Sequence, residues 1–517
     1  MSSSIARHDE VERKYDVADD LRLPALTTVD GVASLGQQEV HDLEAVYFDT
    51  AGMDLHRHGI SVRRRTGGVD DGWHLKLPRE DDRRTELQVP LGRAVRTVPS
   101  RLLEPVRAIV RDRPLRPVAR VRTHRLQQAV LDDAGRAFAT LCDDRVVAQS
   151  LLAPDRELSW REVELELEEG RAADLLERLE VPLLECGAVV SASSSKVRRV
   201  LGDVAHRRDD TGSSTGRGRR RGRRTTAGTV LLQHVQVQVA AIVRQDRGVR
   251  EGDRRAVHQL RIAARRLRSA LDAFAPLRVA GANDLVIGEL RWVGQVLAPA
   301  RDAEVLRQRL AAMVGDQPAE LVLGPVASRI DRDLSKAQRA GAEAADEAMR
   351  SERYYRLLDL LDDLVEAPQW SDLAGERADE VLPPLLEKSA RAVRKATRRA
   401  RAADGADRDP ALHAVRKKAK RLRYAAESAQ HVLGPGARKV ARRAKKVQSA
   451  LGEHQDSVVA RAALRQWGID AHREGDNAFT FGLLHALEQE RGRSAEEAFG
   501  AAVAGLGAKD VKRNLSR

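Results

Sequence analysis

Two periodicities divide the chain. Over residues 9–202 apolar and polar positions alternate in short runs, the two-residue period of strands. Such runs are Ala45–Phe48, Ile60–Arg65, Trp73–Leu77, Thr85–Val89, Ala119–His124, Leu126–Leu131, Phe138–Leu141 and Arg161–Leu167. Asp132-Asp133-Ala134-Gly135 predicts a hairpin turn. Helical spacing intervenes over Pro99–Arg111 and Arg171–Leu179. From Thr229 onward the period becomes that of helices, predicted at 229–245, 253–274, 283–297, 301–314, 320–347, 351–365, 379–403, 408–432, 436–451, 456–466 and within 477–506. Their breaks carry Pro, Gly or Asp, as at Ala275-Pro276 and Gly434-Pro435-Gly436. Lys509 to Arg517 read as a frayed end. The pattern predicts a multidomain chain: an α+β unit around an antiparallel sheet or barrel, then an all-α unit.

The polar faces of the strands are not neutral. Glu10, Glu12 and Lys14 share one face, as do Glu162, Glu164 and Glu166. Arg63 pairs with Arg65 in the same way, His74 with Lys76, Arg84 with Glu86, and Arg120 with Arg122. Opposite faces are often apolar: Trp73, Leu75 and Leu77 on one strand, Val163, Leu165 and Leu167 on another. Two arrangements satisfy this pattern. One is a sheet with a solvated charged face. The other is a barrel with its charged faces inward, a tunnel acidic on one side and basic elsewhere. Clustered carboxylates with room for water suit Mg²⁺ or Mn²⁺.

The helical half contains a repeat. Val257-His258-Gln259-Leu260-Arg261, continuing to Arg268, returns 155 residues later as Leu412-His413-Ala414-Val415-Arg416, continuing to Arg423. In each copy the His and the bases at +3, +7 and +10 share a helical stripe: His258, Arg261, Arg265 and Arg268, then His413, Arg416, Lys420 and Arg423. Arg266 and Arg421 sit beside the stripes, Lys417 within the second copy, and Tyr424 directly after it. Leu297-Ala-Pro-Ala-Arg301-Asp302 matches Leu451-Gly-Glu-His-Gln455-Asp456, which predicts tandem bundles with Asp302 and Asp456 as buried partners of the arginines. A further basic run includes Arg442 and Lys446; it fits either a solvated face or more of the same track.

Composition narrows the partners. Lys and Arg number 90 against 77 Asp and Glu, a formal net charge of +13, which favours a polyanion. Aromatics are 3% of residues, so base stacking is excluded as a main binding mode, and no base-reading motif points to sequence-specific nucleic acid. Cys142 and Cys186 lack metal-site spacing. With no apolar signal core or membrane-length apolar run, a cytoplasmic chain without a membrane partner is expected. Residues 206–228, rich in Gly, Ser and Arg, read as a flexible basic linker between units at 1–205 and 229–517.

Residues 9–200 resemble a CYTH domain, the triphosphate tunnel metalloenzyme family. The ExExK signature is met by Glu10, Glu12 and Lys14. Other matches are Tyr47-Phe48-Asp49-Thr50, Val62-Arg63-Arg64-Arg65, His74-Leu75-Lys76, Arg84-Thr85-Glu86, Asp143-Asp144-Arg145-Val146, Arg161–Glu166 and Ser195-Lys196. Residues 229–510 resemble a CHAD domain, whose hallmarks are the repeated basic stripes. The resemblance implies an eight-stranded antiparallel barrel whose tunnel takes a linear triphosphate. It implies Glu10, Glu12, Glu162, Glu164 and Glu166 as metal ligands, with Glu10, Glu12, Lys14, Lys76 and Glu164 carrying the chemistry. Arg63, Arg65, Arg84, Arg120, Arg122 and Lys196 would bind phosphate, and Glu86 with one of Asp143 or Asp144 would support them. Gln88 stands where a further acid could sit. For the CHAD half the resemblance points to inorganic polyphosphate, held by the two stripes and their flanking residues. The function so implied is metal-dependent hydrolysis of inorganic triphosphate beside polyphosphate binding. The alternative is a non-catalytic protein that attaches to polyphosphate granules.

Overall fold

The computed structural model describes residues 5–78, 84–92, 96–153, 157–171, 174–209, 225–504, 506 and 508–515. They belong to two compact units, Met1–Gly218 and Arg219–Arg517.

Among the described residues the first unit has ten strands: β1 (Ala6–Val17), β2 (Ser34–Leu35), β3 (Glu39–Asp49), β4 (Ser61–Thr66), β5 (Gly72–Pro78), β6 (Arg84–Pro90), β7 (Arg116–Leu131), β8 (Ala137–Ser150), β9 (Glu157–Leu167) and β10 (Val189–Val190). Eight close into an antiparallel barrel in the order β1-β6-β5-β4-β3-β7-β8-β9, with β9 pairing back onto β1. The two short strands pair outside the closed path, β2 on β7 and β10 on β1. Register sets unlike charges opposite one another: Lys14 faces Glu164 and Lys76 faces Glu86. A one-residue slip would turn each charged row to the opposite face.

The outer apolar row of β9, Val163, Leu165 and Leu167, is covered by Leu176, Leu179 and Leu183 of the helix Asp174–Glu185. The helical stretch expected over Pro99–Arg111 is instead three short turns, Ser100–Leu103, Glu104–Val106 and Arg107–Val110. Pro105 lacks the N–H that a continuous helix needs. The hairpin turn forms as predicted: Asp132 accepts from the N–H groups of Ala134 and Arg136, and Gly135 takes φ 72°.

One end of the lumen is plugged. The helix Lys196–Asp209 packs Val197, Val200 and Leu201 against Ala45 and Tyr47 of β3, Val121 of β7, and Val146 and Ala148 of β8. Burying each such aliphatic side chain contributes about 1.5–3 kcal/mol. Arg199 adds an ion pair to Asp16 at 2.6 Å and lies 4.8 Å from the Trp160 ring. Within the expected linker, residues 206–209 continue this helix, while 210–224 lie outside the described residues.

The described residues of the second unit are mostly helical. Its first repeat contains the helices Arg254–Ala273, Asp284–Val296, Ala298–Gly315 and Val326–Met349; the second contains Gly405–Ser428, Gln430–Arg473 and Phe479–Val503. The expected break between 451 and 456 does not occur. In the first copy Pro299 stands at the start of a new helix. Its counterpart in the matched segment, Glu453, has the N–H that lets the helix run through to Arg473. The repeats share one core: Leu310, Met313, Ile330 and Leu334 pack with Ala460, Leu464, Phe481 and Leu484. The chain end is not frayed over Ala508–Leu515, which is helical with Val511 buried. Gly436 admits this segment, since a Cβ there would collide with the Asn514 carbonyl oxygen.

Candidate functional site

Alternation on eight strands brings the charged rows into the barrel, where they line a cavity of about 460 Å³. The tunnel arrangement holds, and the solvated-face alternative does not. Inward carboxylates are Glu10, Glu12, Glu86, Asp144, Glu162, Glu164 and Glu166; inward cations are Lys14, Arg63, Arg65, Lys76, Arg84, Arg125 and Lys196. The walls differ. Adjacent β8, β9 and β1 carry six of the seven acids, while β4, β5 and β6 carry Arg63, Arg65, Lys76 and Arg84.

The groups are tightly linked. Lys76 Nζ donates to both oxygens of Glu10, at 2.8 and 3.0 Å. Arg84 donates to Glu12 at 3.0 Å, and Lys14 lies 3.1 Å from the same carboxylate while contacting Glu164. Arg125 reaches Asp144 at 2.7 Å and Glu164 at 2.6 Å. His74 Nδ1 lies 2.6 Å from Glu86. Burial pushes Glu10 up to about 8, and neighbouring Glu86 and Glu12 outdo part of the pull of Lys76. For Glu12 burial is outweighed by Lys14, Lys76 and Arg84, which hold it at about 2. Burial and the adjacent Arg63 bring Arg65 down to about 9. Asp144, Glu162 and Glu164 each offer an oxygen within 4.8 Å of the others.

In the helical unit the two stripes face each other. Arg261, Arg265, Arg268 and Lys417 line a cleft of about 390 Å³ with Arg291, Gly294 and Gln295. Lys420 lies in the same field: burial, then Arg265, Arg416, Arg268 and Arg261, bring it down to about 7. Arg261 has an acid partner, Asp302 at 3.1 Å. Among the described residues, Arg265, Arg268, Arg416 and Lys420 have no acid at ion-pair distance. The buried Nε atoms of Arg261 and of its counterpart Arg416 have no hydrogen-bond acceptor. Each tunnel cation therefore has an acid partner, and most of the cleft cations, among the described residues, do not.

The CYTH domain model matches residues 8–200, and the CHAD domain model matches residues 233–465. A protein of Mycobacterium tuberculosis, named only as uncharacterized, is 40% identical over 514 residues, 96% of each chain. The chain is a CYTH–CHAD protein. Among solved structures it is similar to PptA from Streptomyces chartreusis, at 25% identity and a TM-score of 0.47, over 54% of this chain and 99% of that one. It is also similar to HpAC1 from Hippeastrum, described as having a dominant triphosphatase activity, at 19% identity and a TM-score of 0.25, over 38% of this chain and 96% of that one. CYTH proteins are triphosphate tunnel metalloenzymes, and the all-carboxylate donor set of the tunnel fits a hard divalent cation.

Several residues of this CYTH–CHAD protein fall elsewhere than their sequence context suggested. Arg120 and Arg122 lie on the outer face of β7, paired with Glu44 and Glu157 and more than half exposed. The inward parity of that strand is Val121, Thr123, Arg125 and Gln127, so Arg125 supplies the cation. Asp144 faces in; Asp143 faces away and pairs with Arg161 at 2.8 Å. Gln88 lines the cavity and donates to the Asp70 carbonyl at 3.1 Å. His74, which shares a face with Lys76, lines the tunnel, and so does Tyr47. Asp49 instead caps the turn Asp54–Arg57, accepting from the N–H groups of Leu55 and His56.

In the CHAD half, Arg266 pairs with Glu427 at 3.5 Å and Arg421 with Asp272 at 3.2 Å. Both bridges cross between repeats, and the offset of 155 maps each onto the other. Tyr424 is buried, with the Arg266 and Arg423 guanidinium groups 5.6 and 5.3 Å from its ring. Arg423 pairs with Glu427 at 2.7 Å. Asp302 is exposed rather than buried, and Asp456 is half-buried beside Arg416. His258 is exposed, and His413 Nδ1 lies 2.6 Å from Gln455. Arg442 and Lys446 are exposed and absent from the described cleft lining, where Arg291 appears instead.

Among the described residues no helix is long and apolar enough to cross a membrane.

Proposed function

We propose that the tunnel hydrolyses inorganic triphosphate with Mg²⁺ or Mn²⁺ and that the CHAD cleft binds inorganic polyphosphate. The observation that carries the first part is the opposition of an acidic wall to a basic wall in one closed lumen. Arg63, Arg65, Lys76, Arg84 and Arg125, with Lys14 and Lys196, hold the phosphate oxygens and keep the chain in line. Glu10, Glu12, Glu162, Glu164 and Glu166, with Asp144, would hold the metal. When bound, it supplies the positive charge and polarised water that phosphoanhydride cleavage needs. Each of these seven cations already meets a carboxylate, so a polyanion needs further positive charge in the lumen. This is a physical reason for metal dependence.

Phosphate release from tripolyphosphate by the purified chain with Mg²⁺ or Mn²⁺ tests the reading; no release across neutral and alkaline pH overturns it. Position within β7 gives a sharper test. Arg125→Ala is expected to lower kcat/KM by at least about tenfold, whereas Arg120→Ala with Arg122→Ala changes it less than about twofold. Equal losses would contradict the inward assignment.

Polyphosphate binding is expected to depend on pH through Lys420. A bound polyanion raises the Lys420 amine from about 7. Binding therefore takes up a proton above that pH, and affinity falls as pH rises, by up to about tenfold per unit. His258 and His413 are both held down by burial in the free protein. Titrations of long-chain polyphosphate at constant ionic strength, from about pH 6 to 9, check this. Lys420→Arg, which stays charged, should flatten the profile above pH 7.

A further inference from the structure

Lys196 sits where an ion would bind. Its ammonium lies 2.8 Å from an oxygen of Asp144, 2.7 Å from one of Glu162 and 2.8 Å from one of Glu164. All three acids are buried. Three like charges this close in a poorly solvated lumen repel strongly and need a counter-charge. Arg125 meets Asp144 and Glu164, and Trp160 Nε1 donates to Glu162 at 2.5 Å. Lys196 alone among these donors touches all three acids.

The backbone behind Lys196 is fixed. It is the first residue of the plug helix, which Val197, Val200 and Leu201 anchor in the lumen and Arg199 ties to Asp16. The flexible four-carbon stem can nevertheless re-aim the ammonium within the cavity that Lys196 lines.

We propose that Lys196 is a built-in counter-cation that a divalent ion displaces from Asp144, Glu162 and Glu164, and that the displaced ammonium then serves as a phosphate ligand. The metal-free tunnel is thus kept folded and charge-balanced by its own lysine. Metal loading replaces one positive charge by two and frees the lysine as a third positive charge for the substrate. Metal and triphosphate consequently raise each other's affinity. This rests on the reading of the tunnel as a metal-dependent triphosphate site, but its first step concerns metal alone.

The test is a Mn²⁺ titration of the full chain with no phosphate compound present, following the electron paramagnetic resonance of free Mn²⁺. Lys196→Met, which keeps the stem and removes the charge, is expected to bind Mn²⁺ at least about tenfold more tightly than wild type. Lys196→Arg should bind no more tightly than wild type. Equal or weaker binding by the Met variant overturns the proposal. Should that variant fold only with metal, recovery of its circular dichroism by Mn²⁺ supports the proposal; a chain that stays unfolded at every Mn²⁺ concentration counts against it. A wild-type chain that binds Mn²⁺ without hydrolysing tripolyphosphate would sink the functional reading and leave this one standing.

Discussion

Glu164→Gln is expected to lower tripolyphosphate hydrolysis by more than about a hundredfold while leaving polyphosphate binding by the CHAD unit unchanged. Glu164 contacts Lys14, Arg125 and Lys196, and these cations outweigh its burial and hold its carboxyl well below the usual range. The amide is nearly the same size but carries no charge, so three buried cations lose their common anion and the acidic wall loses a metal donor. Removing one member of a buried ion cluster costs about 3–5 kcal/mol, so the CYTH unit should also melt earlier. Rate and melting therefore need separate readouts: circular dichroism to show a folded barrel at the assay temperature, then phosphate release. Hydrolysis within a few fold of wild type would remove Glu164 from the proposed machinery.

The opposite sign of stability change is expected in the helical half. Arg265→Glu combined with Lys420→Glu should weaken polyphosphate binding by at least about a hundredfold and flatten its salt dependence. Both cations lack an acid partner among the described residues, and Lys420 is shifted down by burial and by Arg265, Arg416, Arg268 and Arg261. Two acids placed among those arginines relieve repulsion in the free protein, so melting should shift upward as affinity falls. A loss of both binding and stability would mean that the variant had merely damaged the fold. Retained binding would put the polyphosphate site elsewhere.

Much of the tunnel was legible because its signal repeats. Glu10, Glu12 and Lys14 alternate with residues of other character, and Glu162, Glu164 and Glu166 do so with Val163, Leu165 and Leu167 behind them. Each row alone fits a solvated strand; several rows together leave a charged lumen as a coherent solution. The rule failed on β7, whose outer row Arg120 and Arg122 is charged and whose inner row begins at Val121. The reason is the plug helix, which makes that end of the lumen apolar and inverts the usual assignment of faces. Continuing the parity of Val121 and Thr123 by two would have reached Arg125. Closure of β9 onto β1 is a long-range pairing that no local pattern states.

The helical half was legible in its repeat and helix limits, less so in its contacts. That Arg266, Arg421 and Tyr424 belong to the contact between repeats depends on which helix faces which. The stripe alone placed them next to the cleft residues. Likewise nothing in the sequence of Arg291 distinguishes it from the many exposed arginines; its place in the cleft comes from the packing of Asp284–Val296 against Arg254–Ala273.

The crossed bridges Arg266–Glu427 and Arg421–Asp272 have a consequence for how such a chain can arise. Each copy carries an arginine and, six residues on, an acid, and each residue finds its partner in the other copy. A single copy with both groups would be self-complementary and could close on a second molecule of itself through the same two bridges. The present chain has the form of such a homodimer made covalent by gene duplication. Once fused, the halves were free to diverge, and they have: Pro299 divides one helix where Glu453 lets the other continue, and Arg265 faces Lys420 where an identical pair would have placed two arginines. That last difference set an amine brought down to about 7 where an arginine would have stayed charged.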